Sequence, residues 1–494
     1  MDFLAFILTV LYVVTSLLSP EVFPDDIREL HVNLILGVLA ILVCIPSFGK
    51  SRMGRLLDTR FFLGLLVAST IAVLLTGWFG GALNNLLIFI PIIITFPFIV
   101  ISCGNLSRLK IITWALLGTA FYIFAHGILA AMANDVHSPY LEKEGVISTG
   151  VEFFRYRGLG VLADPNDTAQ FYVTLIPLLW LRWKKKSPFS NTLFTLLPAI
   201  VLLVAIYFTH SRGALLAVTA MVWYGFRKKL GFTASTIFSV VALAAMIGLG
   251  MSGGRAIDDD DGGRVAAWST GLEVFRAHPL FGVGMDNFPD YNDTGMTAHN
   301  SYVLCLAELG ITGYFCWMGM IVVSWSGLTR IVKMKEGLAT AEDEVTGLAG
   351  ASTPNPWLPA KAAAPQYGEL ALAGAYQHSS VAVSADPEPV ASVNPMDFGS
   401  PYESEQRPTT EELARIAYVM QTAMVGLLVT CYFLSRSYSM VLYVTLGMVA
   451  ALRVIEGRNE NVFSFTTRET LKKVSWAVFA SILFLYLFVR FHGV

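Results

Sequence analysis

Over half of the 494 residues are hydrophobic, only 14% are charged, and the formal net charge is −2. A soluble chain of this length would divide into two or three domains with charged exteriors, and this composition excludes that arrangement. Apolar runs of about 17–22 residues recur instead, close to the roughly 20 that cross a bilayer as a helix. The chain therefore reads as an all-α polytopic membrane protein with about 12–13 transmembrane helices.

In chain order the predicted spans are 2–18, 33–48, 61–78, 84–103, 111–130, 166–182, 192–209, 213–226, 232–250, 311–328, 413–434, 438–453 and 474–490. The first lacks a basic start and a small-residue cleavage site, so no cleaved signal is expected. Lysines and arginines gather in alternate loops: Lys50, Arg52, Arg55 and Arg60; Arg108 and Lys110; Arg182 with Lys184–Lys186; Arg227–Lys229; Arg330, Lys333 and Lys335. By the positive-inside rule these loops are cytoplasmic, and so is the N-terminus. Four regions are expected: N-terminal helices over 1–130, a membrane core over 131–335 with outer loops 131–165 and 251–299, an insertion over 336–411, and C-terminal helices over 412–494.

The insertion is rich in Ala, Pro, Ser, Gly and Glu. Such a segment cannot bury enough apolar surface to offset its ordering entropy, so it is expected to be cytoplasmic and largely disordered. It ends at Thr409 and Glu412, which have capping-box spacing for the next helix. All five cysteines fall in apolar segments without metal-ligand spacing. No repeat, Walker loop or dinucleotide fingerprint is present, and neither a cofactor nor a nucleic-acid partner is expected. The run Asp258–Asp261 lacks the alternation of oxygen ligands that calcium needs, so no metal is expected either.

The outer cations break the charge rule. They are Arg155, Arg157, Arg212, Arg255, Arg264 and Arg276, with Lys143 the exception. Arginine grips phosphate through a planar fork, whereas lysine acts more as a point charge. Snorkelling to headgroups or pairing with the Asp258–Asp261 run would explain any one of them; the whole set points to an anionic ligand. Downstream, His299-Asn300 stands at the mouth of an apolar helix. The positive helix end and nearby arginines favour neutral imidazole, the form that accepts a proton. Asn300 either caps the helix or binds a hydroxyl. Gly310 and Gly313 permit a break or close packing. Asp164 is placed to orient an arginine and Asn166 to cap its helix. Trp268 and Tyr302 either stack on sugar or mark the interface.

Four segments in order resemble the O-antigen ligase and polymerase superfamily: Arg155-Tyr156-Arg157-Gly158-Leu159-Gly160 with Asp164-Pro165-Asn166; Thr209-His210-Ser211-Arg212-Gly213-Ala214; Gly263-Arg264, Trp268 and His278-Pro279-Leu280-Phe281-Gly282-Val283-Gly284; and Ala298-His299-Asn300-Ser301-Tyr302 with Glu308-Leu309-Gly310 and Gly313. The resemblance covers roughly 150–330. It implies a metal-independent, inverting glycosyltransferase of the inner membrane, taking a glycan from undecaprenyl diphosphate at the periplasmic face. Arg212 and Arg264 match the family's functional arginines and are assigned to the diphosphate, with Arg157 as a weaker third. Arg155, Asn166, Asn300, Arg276 and Tyr302 are further substrate-binding candidates, and His299 is the expected acceptor-activating base. The acceptor is lipid A-core or another glycan, and membrane lipids and polysaccharide-assembly proteins are the expected surroundings. A polymerase of the same superfamily is the alternative within the class. A bicarbonate-type transporter is the alternative outside it, disfavoured because the spans look nearly free of acids and bases, Glu308 excepted. A scaffold protein would not require arginine and histidine to converge outside.

Overall fold

The structure, a computed structural model, describes residues 2–19, 31–48, 53–77, 79–146, 152–249, 261–350, 408–457 and 467–492. Arg255 and most of the Asp258–Asp261 run lie outside the described residues, as do residues 351–407 of the insertion. Every predicted span coincides with helix. In order these are α1 (Asp2–Leu18), α2 (Val32–Phe48), α3 (Leu57–Leu75), α4 (Phe79–Ile93), α5 (Thr95–Ser102), α6 (Leu106–Met132), α7 (Pro165–Leu178), α8 (Pro188–Thr209), α9 (Arg212–Gly248), α10 (Asp261–Ala277), α11 (Ser301–Gly350), α12 (Thr410–Cys431), α13 (Met440–Gly457) and α14 (Thr467–His492). Among the described residues, eight helices are long and apolar enough to cross a membrane. The chain is an all-α polytopic membrane protein.

Met1–Lys335 and Thr409–Val494 form one compact unit, and Glu336–Pro408 a second. Within the first, α13 is buried along its whole length. It packs on α5, where Gly447 lets the Phe96 and Ile99 turn approach closely. The outer layer turns apolar side chains away from the protein: Phe232, Ile237 and Val240 on α9, and Phe479 and Phe484 on α14. A helix whose backbone polar groups are satisfied internally can present such a face to lipid.

Four details go beyond the sequence reading. Within 131–165, Leu141–Val146 (β1) pairs antiparallel with Glu152–Tyr156 (β2). The spans 213–226 and 232–250 follow each other directly within α9, separated by a kink at Gly231, where φ is 77°. The first residues of 336–411 are helical, to Gly350. The spans also hold a buried ion pair. Arg453 of α13 donates to Asp58 of α3, which accepts a second bond of 3.1 Å from Ser324 Oγ of α11. Gly327 makes room for that guanidinium.

The Thr409 cap forms, its hydroxyl accepting from the Glu412 N–H at 3.1 Å. The Glu412 carboxylate, however, bonds Lys110 at 3.1 Å on α6 rather than closing a capping box.

One irregularity shapes the end of the bundle where α11 begins. At Gly310 the α11 backbone leaves helical geometry (φ 59°, ψ −165°), a region in which a side chain is strained. The break frees carbonyls before it and N–H groups after it. The segment 279–284 inserts there: the Val283 and Gly284 N–H groups donate to Ala307 and Glu308 O at 3.1 and 2.9 Å. In return, the Ile311 and Thr312 N–H groups donate to Pro279 and Leu280 O at 2.8 and 3.2 Å. A Cβ at Gly282 would strike the Glu308 backbone, and one at Gly310 the Leu280–Phe281 peptide. Irregular backbone in a membrane protein must be satisfied by protein, and here two glycine-bearing segments satisfy each other.

Candidate active site

Three helices begin at the same end of the bundle, each with a side-chain cap. Asp164 Oδ1 accepts from the Asn166 N–H at 2.6 Å at the start of α7. Ser211 Oγ accepts from Ala214 at 3.4 Å at the start of α9. Asn300 Oδ1 accepts from Tyr302 and Val303 at 2.9 and 3.1 Å at the start of α11. Helix N-termini carry partial positive charge and attract anions. Capping by Asn300 is thus realised, whereas the α7 cap is Asp164 rather than Asn166, because a residue one position before the first helical turn points back at it.

These termini are cross-tied. Arg155 of β2 is buried; its Nε donates to Thr209 O at 2.8 Å and its Nη2 to Asn166 Oδ1 at 2.9 Å. It therefore binds the α8–α9 turn to the start of α7. The loop 432–439 between α12 and α13 supplies the other tie. Ser301 Oγ donates to Leu434 O at 2.6 Å and accepts the Arg436 N–H at 2.9 Å, and Ser437 Oγ donates to Ser301 O at 2.6 Å. Gly213, next to Arg212, lies against Phe433 of the same loop.

α10 crosses the start of α11. Trp268 Nε1 donates to Ala298 O at 2.8 Å, and Gly271 admits Val303 to the α10 backbone. Arg264 precedes Trp268 by four residues and so shares its face. That face is the one holding the residue before His299. His299 itself is half-buried with φ at 48°, a left-handed conformation that non-glycine residues hold only where the surroundings enforce it. The Ala298 and Asn300 bonds on either side do so.

The expected site residues thus divide. Arg212, Arg264, His299 and Asn300 belong to elements joined at one end of the bundle, and Arg212 and Arg264 are both half-buried. Arg157 is engaged locally: its guanidinium donates to Pro139 O at 3.1 Å, Ala163 O at 3.1 Å and Glu142 Oε2 at 3.3 Å. Arg276 is exposed and sits over the Tyr486 ring. Twelve residues past Arg264, it is about 18 Å along α10 at the helical rise. Tyr302 turns inward, donating to Leu428 O at 3.3 Å and packing on Trp317 and Tyr432. Asn166 accepts from Arg155, as described, and Trp268 is buried.

Glu308, buried two residues before the Gly310 break, accepts the Asp286 N–H at 3.0 Å. The Asp286 carboxyl is raised above the ordinary range by burial first and by the neighbouring Asp290 second. Two charged residues were missed from sequence. Asp167, in the first turn of α7, accepts a two-pronged bond from Arg436, whose Nε reaches Oδ1 at 2.6 Å and whose Nη2 reaches Oδ2. The signal was available: Ser435-Arg436-Ser437 is the short outer loop between two predicted spans, where the charge rule leaves an arginine unexplained. Among the described residues, no three His, Cys, Asp or Glu side chains are grouped as metal ligands.

Residues 197–318 match the family model described as O-antigen ligase. This stretch holds Arg212, Arg264, His299 and Gly310; Arg155, Asp167 and Arg436 lie outside it. No curated protein matches the chain.

Proposed function

Because the chain belongs to the O-antigen ligase superfamily, a group of ligases and polymerases acting on lipid-linked glycans, we propose that it transfers a glycan from undecaprenyl diphosphate to an acceptor hydroxyl. The acceptor is lipid A-core or another glycan, and the site faces the periplasm. What supports this reading is that Arg212 and His299 stand at helix starts tied together by the loop 432–439, with Arg264 on the helix that crosses the start of α11.

The chemistry follows from the charges. The acceptor oxygen attacks the anomeric carbon from the side opposite the diphosphate, which inverts the stereochemistry. The new C–O bond forms as the bond to the diphosphate oxygen breaks, and the acceptor proton passes to the His299 imidazole. Negative charge grows on the leaving diphosphate. Arg212 and Arg264, with the positive helix ends, stabilise it without reorganising. The left-handed backbone at His299, fixed by Trp268 and Asn300 on either side, holds the base in one place.

The test is in vitro transfer by the purified full chain from a defined undecaprenyl-diphosphate glycan, with chelator present. A single addition to lipid A-core identifies a ligase, and a ladder of lengthening lipid-linked chains a polymerase. No transfer to any acceptor, together with solute uptake into vesicles, would reject the enzyme reading.

A further inference from the structure

We propose that Arg436, held by Asp167, is a third cation contacting the lipid diphosphate. This rests on the functional reading above and deepens it.

Geometry carries the inference. Arg436 occupies the short loop that ties the three helix starts together. Its own N–H is fixed on Ser301, two residues from His299, and its guanidinium is fixed on Asp167 in the first turn of α7. The two partners are unequally covered: the Asp167 side chain is 4% exposed and that of Arg436 is 40% exposed. The fold thus encloses the acid and leaves the cation partly accessible. A guanidinium has five N–H donors in a planar fork, and Asp167 engages one edge of it. The remaining edge stays open at the end of the bundle where Arg212 and Arg264 are found.

A carboxylate behind an arginine locks its rotamer, so little side-chain entropy is lost when an anion meets the free edge. Asp167 is then a positioning residue, and Arg436 a binding one. Lysine would be a poor substitute, because it cannot bind a carboxylate by one edge and a phosphate by the other.

The test measures undecaprenyl diphosphate binding to the full-length protein in lipid nanodiscs, beside initial transfer rates at limiting and saturating donor. The variants are Arg436→Lys, the double variant Asp167→Asn/Arg436→Gln, and Arg212→Ala. The double variant keeps a neutral hydrogen-bonded pair, so the fold survives without the charge. Removing one such donor is expected to weaken binding about tenfold to a hundredfold. The loss should appear in KM for the donor more than in kcat, with the thermal midpoint of the double variant close to wild type. Wild-type affinity in both Arg436 variants, while Arg212→Ala loses it, would overturn the role of Arg436 and leave the functional reading standing. Failure of the wild type itself to bind would overturn both.

Discussion

Two arginine–aspartate pairs sit near opposite ends of α13, and they differ in one respect. Arg453 and Asp58 are both enclosed, at 9% and 0% side-chain exposure. In the other pair Asp167 is almost as enclosed, at 4%, while the Arg436 side chain is 40% exposed. The first joins α13 to α3 and, through Ser324, to α11. The second joins a loop to α7 but leaves part of its cation uncovered. The same two residue types therefore make a structural tie at one end of the bundle and a binding device at the other. What separates them is coverage of the arginine, a property of the fold and not of the pair.

Breaking the enclosed pair should have the largest effect. Arg453→Leu leaves the Asp58 charge buried without its partner, which costs about 3–5 kcal/mol. Thermal unfolding in detergent should show it, and Asp58→Asn/Arg453→Met should recover most of the loss. Gly310→Ala comes next. It forces a side chain into left-handed backbone and against the 280–281 peptide, for a loss of about 3 kcal/mol, read by the same unfolding measurement and by loss of transfer. The open pair should respond in the opposite sense: Arg436→Lys should lower donor affinity with little change in thermal midpoint, and equal losses in both would erase the distinction. Asn300→Ala removes a cap from α11 at a cost of about 1 kcal/mol, visible as faster amide exchange at residues 302 and 303.

Asp286→Asn should have the smallest effect. A carboxyl raised by burial binds its proton more tightly in the folded protein than in the unfolded one, so its ionised form weakens the fold above the folded pKa. The amide should therefore stabilise at neutral pH, by no more than about 0.5 kcal/mol for a half-exposed group. The gain should fade as pH drops through that pKa.

The helices were legible because lipid-facing and buried helical segments both read as long apolar runs. Arg212, Arg264 and His299 stand out in the sequence because the charge rule makes cations in the predicted outer loops conspicuous and the motif order is local; their role is the proposal that the transfer assay tests. Other features were not. The β1–β2 hairpin is built from strands of six and five residues inside a polar loop, too short to impose a pattern. The Asp58–Arg453 pair joins residues 395 apart in sequence, and nothing in either neighbourhood announces the other. Gly310 was readable as a break, but what fills the break, segment 279–284, is a backbone match that side-chain chemistry does not encode. Arg155 and Arg157 look in sequence like Arg212. Only coordinates show that their donors are taken by Thr209, Asn166, Glu142 and nearby carbonyls.

The proposed function places glycan transfer at the end of the bundle where α11 begins, with His299 as the base. The most direct measurement is the initial rate of undecaprenyl diphosphate release from a defined donor, comparing wild type with His299→Ala at equal folded fraction. Loss of the general base should lower that rate about 10²–10⁴-fold while donor binding persists through the arginines. An unchanged rate in His299→Ala would contradict the account.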